Sequence, residues 1–420
     1  MGFKMKLCIH RGTREIGGTC VELESSGQRI LLDLGLPLNA KDLASTPLPA
    51  IAGLTEADPS VLAIILSHGH RDHWGLLPKA RPDIPVVMGR DVERIMRAAA
   101  DFVPDGFAPK ASAYLENRKR LQLGPFSITP HLVDHSGFDA YALEVEADGR
   151  RLFYSGDLRA HGNKGKLFET MLKRPPKNID VMLMEGSSLG RLHDDEQFPT
   201  EKELEPCFIE RFKATPGMVL VACSAQNIDR VVRIYRAAKR SGRTMVVDAY
   251  AAEVLKATGS EHIPKPVRGW PNIAVYIPFR QRVQLKKKGI APIVKSYRGF
   301  RLWPEQLADH APRSVMLIRP WMVHDRSLAN AMANSRVIWS QWEGYLKEGT
   351  GAELKLECER RHIPFEVIHT SGHASPRDLK RLAAAIAPKR LIPIHTFERE
   401  RYPTLFDNVL LANDGEWIDV

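Results

Sequence analysis

The 420-residue sequence predicts an α/β protein in which a β-rich sandwich flanked by helices is interrupted by a second, α/β domain. Three observations carry this. Up to about residue 190 the chain breaks into short apolar runs separated by turn residues, with few long helical patterns. From about residue 200 the rhythm becomes strand, helix, strand, the pattern of a βαβ unit. The last 60 residues return to strand, loop, helix, strand. The economical reading assigns residues 1–195 and 350–420 to the host domain and 196–349 to the insert.

In order, the expected strands of the first part are Leu7–His10, Cys20–Glu24, Arg29–Asp33, Ala63–Leu66, Pro85–Met88, Ser127–Val133, Ala140–Val145, Leu152–Tyr154 and Val181–Met184. Helices are expected over Arg90–Ala100 and in a segment following His73. In the insert, Met218–Ala222, a helix over Asn227–Lys239 and Thr244–Asp248 form the βαβ unit, and Val315–Ile318 and Val337–Trp339 add buried strands. The end of the chain offers Phe365–Ile368, a helix over Pro376–Ala385 and Leu391–Ile394.

The bulk numbers exclude several classes. No apolar run approaches the roughly 20 residues of a membrane span. The opening segment MGFKMKLCIHRG has no signal-peptide apolar stretch, and Lys6 stands where a myristoylation signal needs Ser or Thr. The five cysteines are scattered and never form a CxxC pair, which suits a reducing cytoplasm and leaves any metal to His and carboxylate ligands. A net charge of +10 favours a polyanionic partner, most often nucleic acid.

The chemistry concentrates in SHGHRDH, residues 67–73. His68 and His70 lie two apart on extended backbone and can aim both rings to one side. Asp72 and His73 follow at what reads as a helix start. Four potential ligands in six residues exceed what one tetrahedral ion would take from so short a loop, so two ions are the natural inference; a solvated histidine-rich turn is the alternative. Two ions about 3.5–4 Å apart need further ligands and a shared carboxylate. His135, Asp157 and His395 each stand just past an apolar strand, where loops converge on a site.

SHGHRDH has the His-x-His-x-Asp-His form of the metallo-β-lactamase superfamily, and LLDLG at Asp33 resembles that family's first motif, an Asp that props the metal loops. LMEGSS with Glu185, TSGHAS with His373 and PIHTF with His395 resemble motifs A, B and C of its nucleic-acid-processing β-CASP branch, which carries an inserted domain between the first two. Within the branch the sequence is most similar to ribonuclease J-type and mRNA 3′-end-processing nucleases. The resemblance implies an αββα sandwich with a Rossmann-like insert. It places one divalent ion on His68, His70 and His135 and a second on Asp72, His73 and His395, with Asp157 shared. Zinc is the expected metal and manganese the alternative. Asp72, Asp157, Glu185 and His373 form the implied catalytic set, His373 approaching the scissile phosphate and Glu185 orienting a neighbouring ligand or histidine. Products with 5′-phosphate and 3′-hydroxyl ends follow from the same likeness. The 25 residues after His395 lead us to expect no further C-terminal domain of the ribonuclease J kind.

Ser371, Gly372 and Ser375 surround His373 at a helix N-terminus, which can both cap the helix and cradle a phosphate. ACSAQN, with Ser224 and Gln226, resembles a phosphate-contacting turn of ribonuclease J, and equally an ordinary capping turn. From His262 to Pro304 the sequence holds ten Lys or Arg, among them Lys286, Lys287, Lys288 and Arg298, six aromatics and no acid. That composition suits single-stranded nucleic acid. The expected function is therefore two-metal hydrolysis of single-stranded RNA by a soluble, cytoplasmic nuclease, with a homodimer as a compatible assembly. A single-stranded DNA nuclease of the same branch, or a lactone or thioester hydrolase on the same fold, are the alternatives.

Overall fold

The computed structural model describes residues 4–420; Met1–Phe3, the start of the opening segment, lie outside the described residues. The chain forms two compact units. One comprises the residues up to Met96, Phe107–Phe198 and Gly372–Val420; the other comprises Arg97–Gly106 and Pro199–Ser371.

The first unit contains two mixed sheets. One runs in the order Trp417–Asp419, Lys6–Arg11, Cys20–Ser25, Gln28–Leu32, Val61–Ile65, Val86–Gly89, Ala113–Leu115. The other runs Arg390–Ile394, Val181–Glu185, Arg150–Tyr154, Tyr141–Ala147, Phe126–Leu132, Leu121–Leu123. Alternation along the strands gives each sheet an apolar inner face. Ile9, Leu23, Ile30 and Ile65 from one meet Leu143, Val145, Leu152 and Leu183 from the other in a shared, fully buried core. The outer faces are apolar too. Ile64 and Leu66 pack with Trp74, Val92 and Met96, while Phe153 and Met182 pack with Phe168 and with Leu379 and Leu382 of the helix Pro376–Ile386. The result is a four-layered αββα sandwich.

The second unit is built on a six-stranded sheet, Ile273–Val275, Thr244–Val247, Ser314–Ile318, Val219–Ala222, Arg336–Trp339, Phe365–Val367, paired in parallel throughout. Its central strands read VLVA, TMVV and SVMLI, the continuous apolar runs of strands covered on both faces. Asn227 and Asp248 cap the helices that follow two of them. A fully buried ion pair fixes the packing. Arg230 donates through Nε and Nη2 to the two oxygens of Glu201 at 2.9 and 3.0 Å, and its remaining donors reach the carbonyls of Ser340 and Thr370.

Two expectations need correction. Residues 350–371 pack within the second unit rather than the host. Phe365–Val367 pairs with Arg336–Trp339 and extends the insert's sheet, so the return to the host begins at Gly372. The helix expected after His73 is a single turn, Arg71–Trp74, that contains both Asp72 and His73; a further short turn over Leu77–Lys79, with Pro78 in it, replaces its continuation. Several elements had no sequence signal, among them the strands Ala113–Leu115, Leu121–Leu123 and Trp417–Asp419, each three residues long and too short to display a period.

Leu183 sits with no exposed surface between the two sheets. Leu183→Ala should lower stability by about 2–5 kcal/mol, through lost burial and the cavity left behind. The measurement is the urea midpoint of the host unit's transition.

Candidate metal centre

The architecture brings the predicted residues to one rim. In the second sheet, Phe126–Leu132, Arg150–Tyr154, Val181–Glu185 and Arg390–Ile394 run in one direction, and Gln28–Leu32 runs parallel to Val61–Ile65 in the first. Just past these strand ends stand His135, Asp157, His395, Asp33 and the SHGHRDH loop, while Glu185 ends its own strand. Asp33 and His395 both occupy the left-handed region, at φ of 60° and 56°, which is uncommon outside glycine and re-aims each side chain as its strand ends.

Two groups of donors result. His68, His70 and His135 converge, and so do Asp72, His73, Asp157 and His395, the ligand atoms of each group lying within 4.8 Å of one another. Asp157 stands between the groups. Its Oδ2 is 3.1 Å from His73 Nε2, 3.7 Å from His68 Nε2 and His395 Nε2, and 4.0 Å from His135 Nε2. Asp72 Oδ2 lies 3.6 Å from His395 Nε2.

Four of the imidazoles are held from behind. Asp33 is fully buried and takes the N–H and hydroxyl of Ser67 at 2.7 Å each and the Tyr154 hydroxyl at 2.5 Å, with His73 Nδ1 2.7 Å from its Oδ2. His135 Nδ1 is 2.7 Å from the Gly372 carbonyl, His68 Nδ1 is 3.0 Å from Ser67 Oγ, and His395 Nδ1 is 2.9 Å from Thr19 Oγ1. These contacts turn four Nε2 atoms inward, the usual means of fixing a metal-binding histidine. Glycine permits the close packing at two points. A Cβ on Gly35 would fall 1.7 Å from the Asp72 carbonyl oxygen, and one on Gly372 would meet Ser136 Oγ at 2.5 Å.

The donors fit divalent cations on a further observation. His68 Nε2, His395 Nε2 and Asp157 Oδ1 are buried with no hydrogen-bond partner among the described residues. Buried polar atoms in protein interiors are almost always paired, so three such atoms at one centre suit divalent-cation binding. Electrostatics agrees. Burial holds His68 and His135 well below the ordinary imidazole range and lowers His70 and His395, keeping them in the neutral, ligating form. Burial opposes ionisation of Asp157, yet the imidazoles of His395, His73 and His373 hold its carboxyl well below the usual range.

His373 precedes the helix Pro376–Ile386, with Nδ1 3.0 Å from Glu185 Oε2 and 3.8 Å from Asp157 Oδ2. Burial works against its charge, but the carboxylates of Glu185 and Asp157 raise the imidazole to about 9. Glu185 is itself fixed by the N–H groups of Leu158 and Ser187 at 3.0 and 3.3 Å.

The proposed phosphate contacts are placed differently. Ser375 is fully buried and spent as the helix cap, accepting from the Asp378 N–H and donating to its carboxylate; Ser371 is also buried, and the Gly372 carbonyl serves His135. Ser224 accepts from the N–H of Gln226, whose side-chain amide donates to Tyr250 Oη, so this stretch is the capping turn of the helix begun by Asn227. Lys286, Lys287, Lys288 and Arg298 are exposed on the second unit. Thr19 and Tyr154 lacked any signal in the sequence, because their partners lie hundreds of residues away or on another sheet.

Comparison with known proteins agrees with this construction. The beta-lactamase superfamily domain matches residues 28–232, which include Asp33, the SHGHRDH loop, His135, Asp157 and Glu185. Ribonuclease J of Helicobacter pylori (strain ATCC 700392 / 26695) is 21% identical over 97% of this chain, and that of Mycolicibacterium smegmatis 27% identical over 97% of this chain and 73% of its own length. Residues 28–232 form a beta-lactamase superfamily domain, and the likeness to ribonucleases J runs along nearly the whole chain. The chain spans about 60% of the length of the Helicobacter relatives. A crystal structure of a protein of unknown function from Enterococcus faecalis V583 shares the fold over 99% of this chain and 100% of that one, with a TM-score of 0.78 at 20% identity. Among the described residues no helix is long and apolar enough to cross a membrane.

Thr19→Val keeps the side chain's shape and removes the oxygen beside His395 Nδ1. It should weaken divalent-metal binding by about 10–100-fold, the usual cost of losing an outer partner. A competitive chelator titration reads this, and His68→Ala should lower the bound metal per chain in the same experiment.

Proposed function

We propose that the protein is a metal-dependent ribonuclease that hydrolyses phosphodiester bonds of single-stranded RNA. The observation that carries this reading is the pair of donor groups sharing Asp157, with His373 and Glu185 beside them. The similarity to ribonucleases J supports RNA as substrate, and the acid-free basic run in the insert supports a polyanion.

In this reading His68, His70 and His135 hold one zinc or manganese ion and Asp72, His73 and His395 the other, with Asp157 common to both. Bound divalent ions supply Lewis-acid activation of a water and offset charge on the phosphodiester. The residues supply the rest. Asp33, Ser67, Thr19 and the Gly372 carbonyl keep the imidazoles aimed, so that little reorganisation is needed during reaction. Oxygen from water bonds to phosphorus as the bond to the 3′-oxygen breaks. His373, oriented through Nδ1 by Glu185, protonates the departing 3′-oxygen, leaving 5′-phosphate and 3′-hydroxyl products.

Digestion of end-labelled RNAs carrying 5′-monophosphate, 5′-triphosphate or 5′-hydroxyl groups, with product mapping, tests this reading. A chelator, His68→Ala or Asp157→Ala should abolish cleavage while leaving RNA binding largely intact. His373→Ala should lower kcat by about 10²–10⁴-fold with a smaller change in KM. Undiminished cleavage by the metal-ligand variants would remove the metal assignment, and turnover of a lactone or thioester with no nuclease activity would replace the substrate.

A further inference from the structure

The structure sorts the six aromatics of the acid-free run. Tyr276 and Tyr297 are buried, their hydroxyls donating to Asp325 and Glu253. Phe279 and Trp303 are instead 67% and 37% exposed, large apolar rings left at the surface of the second unit. Arginine accompanies each. The Arg282 guanidinium lies 5.7 Å from the centre of the Phe279 ring and that of Arg301 3.9 Å from the Trp303 ring; nearby, Arg280 lies 5.2 Å from Trp321.

Neither Arg282 nor Arg301 is in a close ion pair among the described residues; Glu305 acts on Arg301 only at longer range. Nε of both Arg282 and Arg301 is buried without a hydrogen-bond partner among the described residues. The neighbouring carboxylate, Asp325, is already occupied by the Tyr276 hydroxyl at 2.6 Å and the Phe279 N–H at 3.2 Å. Burial, and then the like charge of Arg282, lower Arg301 from the ordinary guanidinium value, and Glu305 offsets this only in part. An external anion would relieve that repulsion, and the exposed rings beside it would gain a flat apolar partner. A phosphate chain with unpaired bases offers both at once. An acidic peptide offers only the charge.

We propose that Phe279, Arg282, Arg301 and Trp303 form a docking surface for an unpaired segment of RNA, bases stacking on the rings and phosphates pairing with the guanidiniums. The inference rests on RNA being the substrate. It assigns binding to residues other than the Lys286–Lys288 cluster, whose exposed ammonium groups lack a ring.

The test is binding of the full chain to a cleavage-resistant, phosphorothioate-linked single-stranded RNA. Phe279→Ala and Trp303→Ala should each weaken it roughly five- to hundredfold. Arg282→Gln should reduce the dependence of log affinity on log salt by about 0.7. Lys213→Gln, at an exposed position on the same unit, removes a charge without a ring and should change affinity far less. Affinity for a fully paired RNA duplex should respond little to the ring variants, since paired bases cannot stack on them. Unchanged single-strand affinity in both ring variants, equal losses on duplex, or an altered oligomeric state in place of altered affinity would each overturn the proposal. Failure of the parent reading looks different. A wild-type protein that cleaves no RNA yet binds it through these residues would sink the ribonuclease and keep the surface. One that cleaves RNA while the variants bind normally would do the reverse.

Discussion

The structure turns on a buried carboxylate. Asp157 lies beneath the surface among five histidines, and a charge so placed is tolerated only if opposite charge is close. The histidines answer this only in part, because burial keeps His68, His70, His135 and His395 neutral. Their inward nitrogens then carry lone pairs with no proton to meet them. Buried carboxylates, several neutral imidazoles and three polar atoms without a hydrogen-bond partner among the described residues make a donor set that suits divalent cations. Metal binding and stability of the rim are therefore one question.

The fold explains how so costly a group can be held. The candidate ligands lie at strand ends or in the loop and short helical turn that follow one, and the strands are anchored by a core shared between two sheets. The outward-turned nitrogens are fixed by atoms from both sheets. Thr19 and Asp33 come from the first, and the Gly372 carbonyl lies beside the helix packed on the second. Ser67 reaches Asp33, His68 and His73 at once, so one hydroxyl couples the Asp33 prop to both halves of the SHGHRDH loop. A rigid scaffold of this kind can impose left-handed backbone on Asp33 and His395, a strain that an isolated loop would release.

Much of the centre was legible in the sequence because its ligands follow a local rule. They are His and Asp just past apolar runs, and SHGHRDH packs four of them into one loop. The αββα host with its α/β insert was legible for a similar reason, since period-two runs and a βαβ rhythm are properties of contiguous residues. What escaped depends on tertiary placement. Ser375 reads equally as a phosphate contact and a helix cap, and only its complete burial decides for the cap. Tyr276 and Tyr297 read as stacking rings like Phe279 and Trp303, yet they are buried and their hydroxyls donate to Asp325 and Glu253. The insert's last strand, Phe365–Val367, is so short that its sequence cannot say which sheet it joins.

Two kinds of positive charge coexist in the second unit, and they do different work. Lys286, Lys287 and Lys288 stand exposed at the end of the helix Phe279–Lys287, flexible point charges whose pull on a polyanion is long-ranged, weak at contact and readily screened by salt. Arg282 and Arg301 are partly buried and fixed over rings, each with a buried Nε that has no hydrogen-bond partner among the described residues, so any contact they make is short-ranged and geometrically defined. In the proposed reading the lysines attract nucleic acid of any form. Discrimination between paired and unpaired strands requires groups that recognise an exposed base face, and in this run only the ring-bearing positions have that chemistry. Cations that look alike in the sequence are thus divided, by burial and by the rings beside them, into exposed point charges and fixed guanidiniums.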